Sequence, residues 1–103
     1  MGLKVKEGVT FPEFNQYNLK ILSAALMASN LMNRDIVVTS GNDGKHSTNS
    51  LHYKNRALDF RTRDMTPEDA KKFVSYMENQ LSSIYDIVVE TDPQHVHIEA
   101  DRI

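Results

Sequence analysis

The sequence has 103 residues, of which 40% are hydrophobic and 25% charged, with a net charge of −2 and no cysteine. This length and composition predict a single globular domain over residues 1–103 with one hydrophobic core. The lack of cysteine excludes disulfides and thiolate metal sites, so any metal site must use nitrogen and oxygen ligands. Because the lysines and arginines are scattered rather than clustered, we expect no nucleic-acid partner.

The apolar stretches of the sequence are too short for a membrane segment. The longest, "ILSAALMASNLM" at residues 21–32, is interrupted by serine and asparagine and falls well below the roughly 20 residues that a bilayer requires. The first ten residues, "MGLKVKEGVT", lack the apolar core of a secretory signal. We therefore expect a protein that is made in the cytoplasm without a signal peptide and does not insert into a membrane.

The first half of the chain is predicted to form a helix, a strand and a loop. Alanine, leucine and methionine favour a helix over roughly residues 14–32. Residues 35–40, "DIVVTS", are typical of a short buried strand, and residues 41–50, "GNDGKHSTNS", have the turn-forming chemistry of a loop. One apolar stripe is predicted on the helix: Leu19, Leu22 and Leu26.

Residues 56–62, "RALDFRT", alternate as a half-buried strand does. Side chains two positions apart lie on the same face of a strand, so Asp59 and Arg61 are predicted to share one face. Leu58 and Phe60 are then predicted to share the opposite face, which packs on the core.

The remaining residues predict a helix and two strands. Residues 66–83 begin with the N-cap residue Thr66 and with Pro67 at the first helical position. Residues 85–90, "YDIVVE", and 95–100, "HVHIEA", are predicted strands of a hairpin. The order of elements predicts an α+β fold with a small, mainly antiparallel sheet and helices packed on one face. Four apolar residues recur at helical spacing: Ala70, Phe73, Met77 and Leu81.

A histidine pair and an aspartate suggest a metal site. In a strand, His95, His97 and Glu99 project to one face. If this strand lies beside the strand of Asp59, the aspartate and the histidines can converge, and His52 can reach them from the adjoining loop. Two histidines and one carboxylate are a ligand set of catalytic zinc, which keeps an open position for water. The pattern alone leaves alternatives open, because such histidines are often surface residues and an aspartate here can instead pair with a neighbouring arginine.

The segment "SLHYKNRALD", residues 50–59, resembles the S-x-H-x-x-G-x-A-x-D motif of the D-Ala-D-Ala metallopeptidase family. Ser50, His52, Ala57 and Asp59 match the motif. With the downstream "HVH", the chain resembles the wider group of lysostaphin-type peptidases, vancomycin-resistance dipeptidases, phage endolysins and the hedgehog signalling domain. The resemblance supports the predicted fold and implies a bound zinc ion.

The resemblance also implies a role for each matching residue. His95 is expected beside the metal, where it stabilises the developing oxyanion. The catalytic base is expected shortly before the histidine pair, where Glu90 fits best and Asp92 is the alternative. Ser50 and Tyr53 are candidate substrate-binding residues, although each can equally have a structural role. The implied zinc ligands are His52, Asp59 and His97.

Three further positions bear on the site. Asn55 replaces the glycine of the motif, and we expect it to adopt the left-handed conformation that asparagine tolerates. Glu99 could orient a histidine ring, although a surface role is the simpler interpretation. The family's substrate-binding arginine has no clear counterpart, since Arg34 and Lys45 are both expected at the surface.

The function implied by the resemblance is that of a zinc metallopeptidase that hydrolyses amide bonds in peptidoglycan stem peptides, as an endolysin-type endopeptidase does. Such an enzyme is expected to be a monomer that acts on the cell wall after release from the cytoplasm. The alternatives are a D-Ala-D-Ala carboxypeptidase or dipeptidase, and a non-catalytic zinc-stabilised binding domain. A cationic group that closes the cleft around a free carboxylate would favour the carboxypeptidase.

Overall fold

The computed structural model describes residues 2–43, 50–91 and 94–101. Within these ranges it confirms the predicted α+β fold, with two helices and a five-stranded, mostly antiparallel sheet. A short 3₁₀ helix precedes the third strand. The elements are β1 (Leu3–Val5), α1 (Gln16–Met32), β2 (Ile36–Ser40), the 3₁₀ helix (Leu51–Lys54), β3 (Ala57–Arg61), α2 (Pro67–Gln80), β4 (Tyr85–Glu90) and β5 (His95–Ala100).

The strands lie in the order β1-β2-β3-β5-β4. β1 is parallel to β2, and the other three pairs are antiparallel. The predicted hairpin of β4 and β5 is confirmed, and β5 also pairs with β3 at the centre of the sheet. β1 was not predicted, because its three residues, "LKV", are too few to give a clear alternation.

The alternation of the strands places their apolar residues on one face of the sheet, where both helices cover them. Phe60 is fully buried and meets Phe73 of α2 edge to face, with ring centroids 5.6 Å apart. This face of the sheet and the inner faces of the helices form the single core. Its fully buried members include Ile21, Ala25, Ala28, Ile36, Val38, Phe60, Phe73, Met77, Val96 and Ile98.

The first helix is turned differently from the prediction. Asn15 caps its N-terminus, and its side chain accepts from the backbone N–H groups of Tyr17 and Asn18. The predicted leucine stripe is only partly correct: Leu22 packs against the core, whereas Leu19 and Leu26 remain 50% and 46% exposed. Alanines on the adjoining side allow the helix to approach the core closely, so they are buried instead. The buried face carries Asn18, Ile21, Ala24, Ala25, Ala28 and Ser29.

The second helix follows its prediction closely. The hydroxyl of Thr66 accepts from the backbone N–H of Asp69 at 3.1 Å, and Pro67 occupies the first turn. Phe73 and Met77 are fully buried, as their spacing indicates. As far as the described residues go, neither helix has the length and apolarity to cross a bilayer.

Candidate metal centre

The face of the sheet opposite the helices carries polar side chains from β3 and β5. We call this the polar face; its residues are Asp59, Arg61, His95, His97 and Glu99. In the β3–β5 register Asp59 lies opposite His97, and Arg61 lies opposite His95. Directly opposite residues of an antiparallel pair have Cβ atoms about 4.5–5.5 Å apart on one face. The predicted convergence of Asp59 with the histidine pair is therefore a consequence of this register.

His52 joins this face from the 3₁₀ helix. Ser50 caps the helix, and its hydroxyl accepts from the backbone N–H of His52 at 3.2 Å. The chain then turns at Asn55, whose φ of 58° confirms the predicted left-handed conformation. The side-chain amide of Asn15, the cap of α1, donates to the carbonyl of Asn55 at 3.0 Å. These contacts fix the short helix against the sheet and leave the His52 side chain only 1% exposed.

Three ligand atoms meet at one point. The distance from His52 Nε2 to Asp59 Oδ1 is 3.2 Å, that from His97 Nδ1 to Asp59 Oδ1 is 2.9 Å, and the two ring nitrogens lie 3.1 Å apart. Zinc bonds to nitrogen and oxygen of about 2.0–2.1 Å imply a tetrahedral edge of roughly 3.3 Å. The three separations are close to that edge. We call these three residues the metal triad.

The outer nitrogens of both histidines are held by hydrogen-bond acceptors. His52 Nδ1–H donates to the carbonyl oxygen of Gly41 at 2.7 Å, and His97 Nε2–H donates to Glu99 Oε1 at 2.6 Å. When neutral, each ring therefore directs the lone pair of its other nitrogen toward Asp59. Two lone pairs and a carboxylate oxygen repel one another unless a cation lies between them. A metal ion that takes nitrogen and oxygen ligands fits this donor set.

The charges around the metal triad agree with a site built for a cation. Burial alone would lower the pKa of His97, but hydrogen bonds to Asp59 and Glu99 outweigh it and raise the pKa to about 9. Burial alone would raise the pKa of the Asp59 carboxyl, but hydrogen bonds to His52 and His97 hold that pKa well below its usual range. In the metal-free protein a proton on His97 therefore supplies the positive charge that the acceptors require.

Glu90 and His95, the predicted catalytic pair, lie beside each other but not in contact with the metal triad. Glu90 is opposite His95 in the β4–β5 register, and its Oε1 is 3.5 Å from His95 Nε2. His95 is two residues from His97, so it lies one step, about 7 Å, along the same face. Their roles stay predictions. Asp92 and Lys45 lie outside the described residues.

The other candidates have mainly structural contacts. The hydroxyl of Ser50 caps the 3₁₀ helix, and Tyr53 is 40% exposed. Arg34 is paired with Asp64 and Asp69 near the helices, at 3.5 and 3.8 Å, which agrees with the surface role expected for it. Substrate binding by Ser50 and Tyr53 stays a prediction.

Gly41 is a part of the site that the sequence did not reveal. Its carbonyl orients His52, and a Cβ at this position would collide with the carbonyl oxygen of Thr10 and press on the Phe11 ring. In the sequence Gly41 is one turn-forming residue among many, so only the tertiary structure distinguishes it. Glu99, by contrast, was a candidate from the sequence because it shares the face of the histidines. In the structure it orients the His97 ring by accepting from Nε2.

The fold and the metal triad together define a class of small α+β domains with a histidine–aspartate–histidine centre of the zinc-peptidase type. The chain matches the family of the Hedgehog amino-terminal signalling domain over residues 10–99, and it therefore belongs to that family. This family is related to zinc peptidases. No curated protein matches the chain. The family match gives no support for an endolysin or for peptidoglycan as substrate, and both stay predictions.

Proposed function

We propose that the protein is a zinc-dependent hydrolase of peptide amide bonds and that its substrates are peptidoglycan stem peptides. The observation that carries this proposal is the meeting of three ligand atoms from His52, Asp59 and His97, with both outer ring nitrogens held by acceptors. Three protein ligands are the number that catalytic zinc sites use, because a position must remain for water or substrate. Zinc in such a site polarises a carbonyl and lowers the pKa of water toward about 7.

The protein's own residues supply the proton transfers. In the proposed reaction water adds to the amide carbonyl, the C–N bond breaks, and a proton from the water ends on the leaving nitrogen. Glu90 accepts that proton and returns it to the nitrogen, and His95 donates a hydrogen bond to the carbonyl oxygen as its negative charge grows. The 3.5 Å separation of Glu90 Oε1 and His95 Nε2 supports a shared role for the two residues.

The substrate class rests on the resemblance of residues 50–59 to the D-Ala-D-Ala metallopeptidase motif. The left-handed Asn55 supports this argument, because it adopts a conformation that glycine, the motif residue, adopts readily. The proposal includes an endolysin-type setting, in which a monomer made in the cytoplasm reaches the cell wall after release. A D-Ala-D-Ala carboxypeptidase or dipeptidase uses the same centre and differs in the bond it cleaves.

Zinc binding is the first test. We expect the purified protein to hold about one zinc ion per chain after equilibration and dialysis, because the metal triad forms one centre. His52→Ala removes a ligand and should lose the ion. His95→Ala is the matched control, since it removes a histidine from the same face without removing a ligand. If the His52→Ala protein retained its full zinc content, the ligand assignment would be wrong.

Hydrolysis of purified peptidoglycan, followed by mass spectrometry of the released peptides, tests the reaction and identifies the bond. We expect Glu90→Gln to retain zinc and to lose hydrolysis by about a hundredfold or more, as the loss of a catalytic base does. If Asp92→Asn has this behaviour and Glu90→Gln does not, Asp92 is the base. Wild-type protein that holds zinc and releases no peptide would contradict the proposed activity.

A second candidate function is that of a non-catalytic domain in which zinc stabilises a binding surface. The specific observation in its favour is that the Glu90 carboxylate lies against His95, on the strand beside it and not in contact with the metal triad, with 45% of its side chain exposed. Zinc-loaded protein that binds peptidoglycan peptides without releasing any product would favour this candidate.

A further inference from the structure

A cleft lies beside the metal triad and has a cationic wall. Its volume is about 210 Å³, and Asp59 of the metal triad forms part of its lining. Lys6 follows β1, Arg61 ends β3, and Arg63 lies two residues further along. Lys6 is distant in sequence from the two arginines, yet all three side chains line the same cleft, with His95 beside them.

Among the described residues, the three cations have no acidic partner at ion-pair distance. Within residues 2–43, 50–91 and 94–101, no ion pair joins Lys6, Arg61 or Arg63 to a carboxylate. The carboxylate of Asp59 also lines the cleft, but it is bound to the two histidines of the metal triad. An unpaired group of positive charges in a concave site attracts anions and holds them more strongly than an open surface does.

Arg61 lies close enough to the metal triad for one substrate to reach both. Arg61 is two residues after Asp59 on the same face of β3, which corresponds to about 7 Å along the strand. Consecutive Cα atoms of a peptide are about 3.8 Å apart. A substrate whose scissile carbonyl lies at the metal triad therefore places a carboxylate of the next residue within reach of the Arg61 guanidinium. That planar group donates two parallel hydrogen bonds to a carboxylate.

We infer that this cleft binds a carboxylate of the substrate. Arg61 makes the main contact with that carboxylate, and Lys6 and Arg63 lie at the rim of the cleft. The inference rests on the proposed function and adds the orientation in which the substrate binds. The carboxylate-bearing residue of the substrate lies toward Arg61. At the opposite end of the polar face Glu99 and Asp86 lie opposite each other, so that end repels a carboxylate. The carboxylate is either the free C-terminus of the substrate or the side chain of an internal acidic residue.

Two pairs of probes distinguish these sources. N-acetyl-D-alanyl-D-alanine and its C-terminal amide differ only in a terminal carboxylate. N-acetyl-alanyl-D-glutamate amide and its D-glutamine counterpart differ only in a side-chain carboxylate. With zinc-loaded protein and calorimetry, we expect the carboxylate member of one pair to bind about tenfold more tightly than its amide, which is the size of one charge-assisted hydrogen-bonded contact. The pair with the preference identifies the source.

The Arg61→Gln variant should lose this preference, and Arg61→Lys should keep part of it. Lys72→Gln is the matched control, since it removes one exposed positive charge from α2 on the other side of the sheet and should keep the preference in full. A wild-type protein without preference in either pair would overturn the inference. So would a preference that survives Arg61→Gln, because the carboxylate would then bind elsewhere, for example to the zinc itself.

The binding assay keeps the inference separate from the proposed function. A carboxylate preference that depends on Arg61, in a protein that hydrolyses no peptide, supports the cleft assignment and contradicts the activity. Hydrolysis that is equally fast for the carboxylate and amide members, and unchanged in Arg61→Gln, supports the activity and overturns the cleft assignment.

Discussion

The two faces of the β3–β5 pair differ in chemistry: one is apolar and buried, and the other carries the metal triad. On one face Leu58, Phe60, Val96 and Ile98 are buried against the helices and exclude water, so each contributes to the free energy of folding. On the other face the same two strands bring together the carboxylate of Asp59 and imidazoles that direct lone pairs toward it. Without a cation between them, bringing these polar atoms together and away from water costs free energy.

The difference between the faces indicates that the core stabilises the fold and that the polar face depends on what it binds. If this is correct, substitutions on the core face should change stability and leave the metal centre of the folded protein intact. Substitutions on the polar face should change metal binding and, at His97, the dependence of stability on pH. The following predictions test that separation, beginning with the largest expected effect.

Phe60→Ala should lower the free energy of unfolding by about 3–5 kcal/mol, because it removes a fully buried ring and leaves a cavity beside Phe73. Chemical denaturation of the zinc-free protein measures this loss. In the fraction that stays folded, we expect the zinc dissociation constant to change by less than about tenfold, since the neighbouring Asp59 projects to the other face. If folded Phe60→Ala protein bound no zinc, the two faces would not be independent.

The stability of the zinc-free protein should fall as the pH rises from about 6.5 to 9. The pKa of His97 is raised from 6.5 to about 9 in the folded protein, so its protonated form stabilises the fold. This stabilisation is fully present below pH 6.5 and is lost as the pH rises through 9. Its size is about 3 kcal/mol, since each pKa unit corresponds to about 1.4 kcal/mol.

Denaturation with a chelator present, at several pH values, measures this dependence. The stabilisation that added zinc provides should have the opposite trend and increase over the same pH range, because zinc requires the neutral imidazole. His97→Gln should flatten the first curve. A zinc-free protein that became more stable between pH 6.5 and 9 would show that the proton on His97 does not take the place of the metal ion.

Glu99→Ala should weaken zinc binding by about 10- to 100-fold, which is the usual cost of removing a carboxylate that orients a ligating histidine. Glu99 accepts from His97 Nε2 at 2.6 Å, so its loss frees the ring to turn. Asp101→Ala is the matched control, because Asp101 is an exposed neighbouring acid in the same acidic group as Glu99 and Asp86. Equal losses in the two variants would mean that nearby negative charge, and not the contact, supports the metal.

The alternation of the strands allowed both faces of β3 and β5 to be predicted, because period-two patterns depend only on local geometry. The orientation of α1 was not predictable in this way. Its apolar residues surround much of the helix, and the face that packs is chosen by small alanines such as Ala25 and Ala28, which permit close approach. The leucine at position 26 is more hydrophobic but remains half exposed.

The metal triad was predictable because its residues lie in recognisable motifs. The residues that support it were harder to predict from the sequence. Gly41 acts through a carbonyl, which every residue has, so no residue type marks it. In the cationic cleft Lys6 lies beside Arg61 and Arg63, which are more than fifty positions away in sequence, and only the order of the strands brings Lys6 to them. Local patterns identify what a segment can do, and the topology decides which segments act together.

The smallest expected effect concerns the turn that presents His52. Asn55 has a φ of 58°, so Asn55→Ala should lower the free energy of unfolding by about 1 kcal/mol, because alanine lacks the polar side chain that lets asparagine tolerate this conformation. Asn55→Gly should cost less, because glycine adopts the conformation freely. The zinc dissociation constant of Asn55→Gly should stay within about threefold of wild type, since the turn still directs His52 toward Asp59. If glycine were as harmful as alanine, the asparagine side chain itself, through its 3.4 Å contact with Glu13, would be what holds the turn.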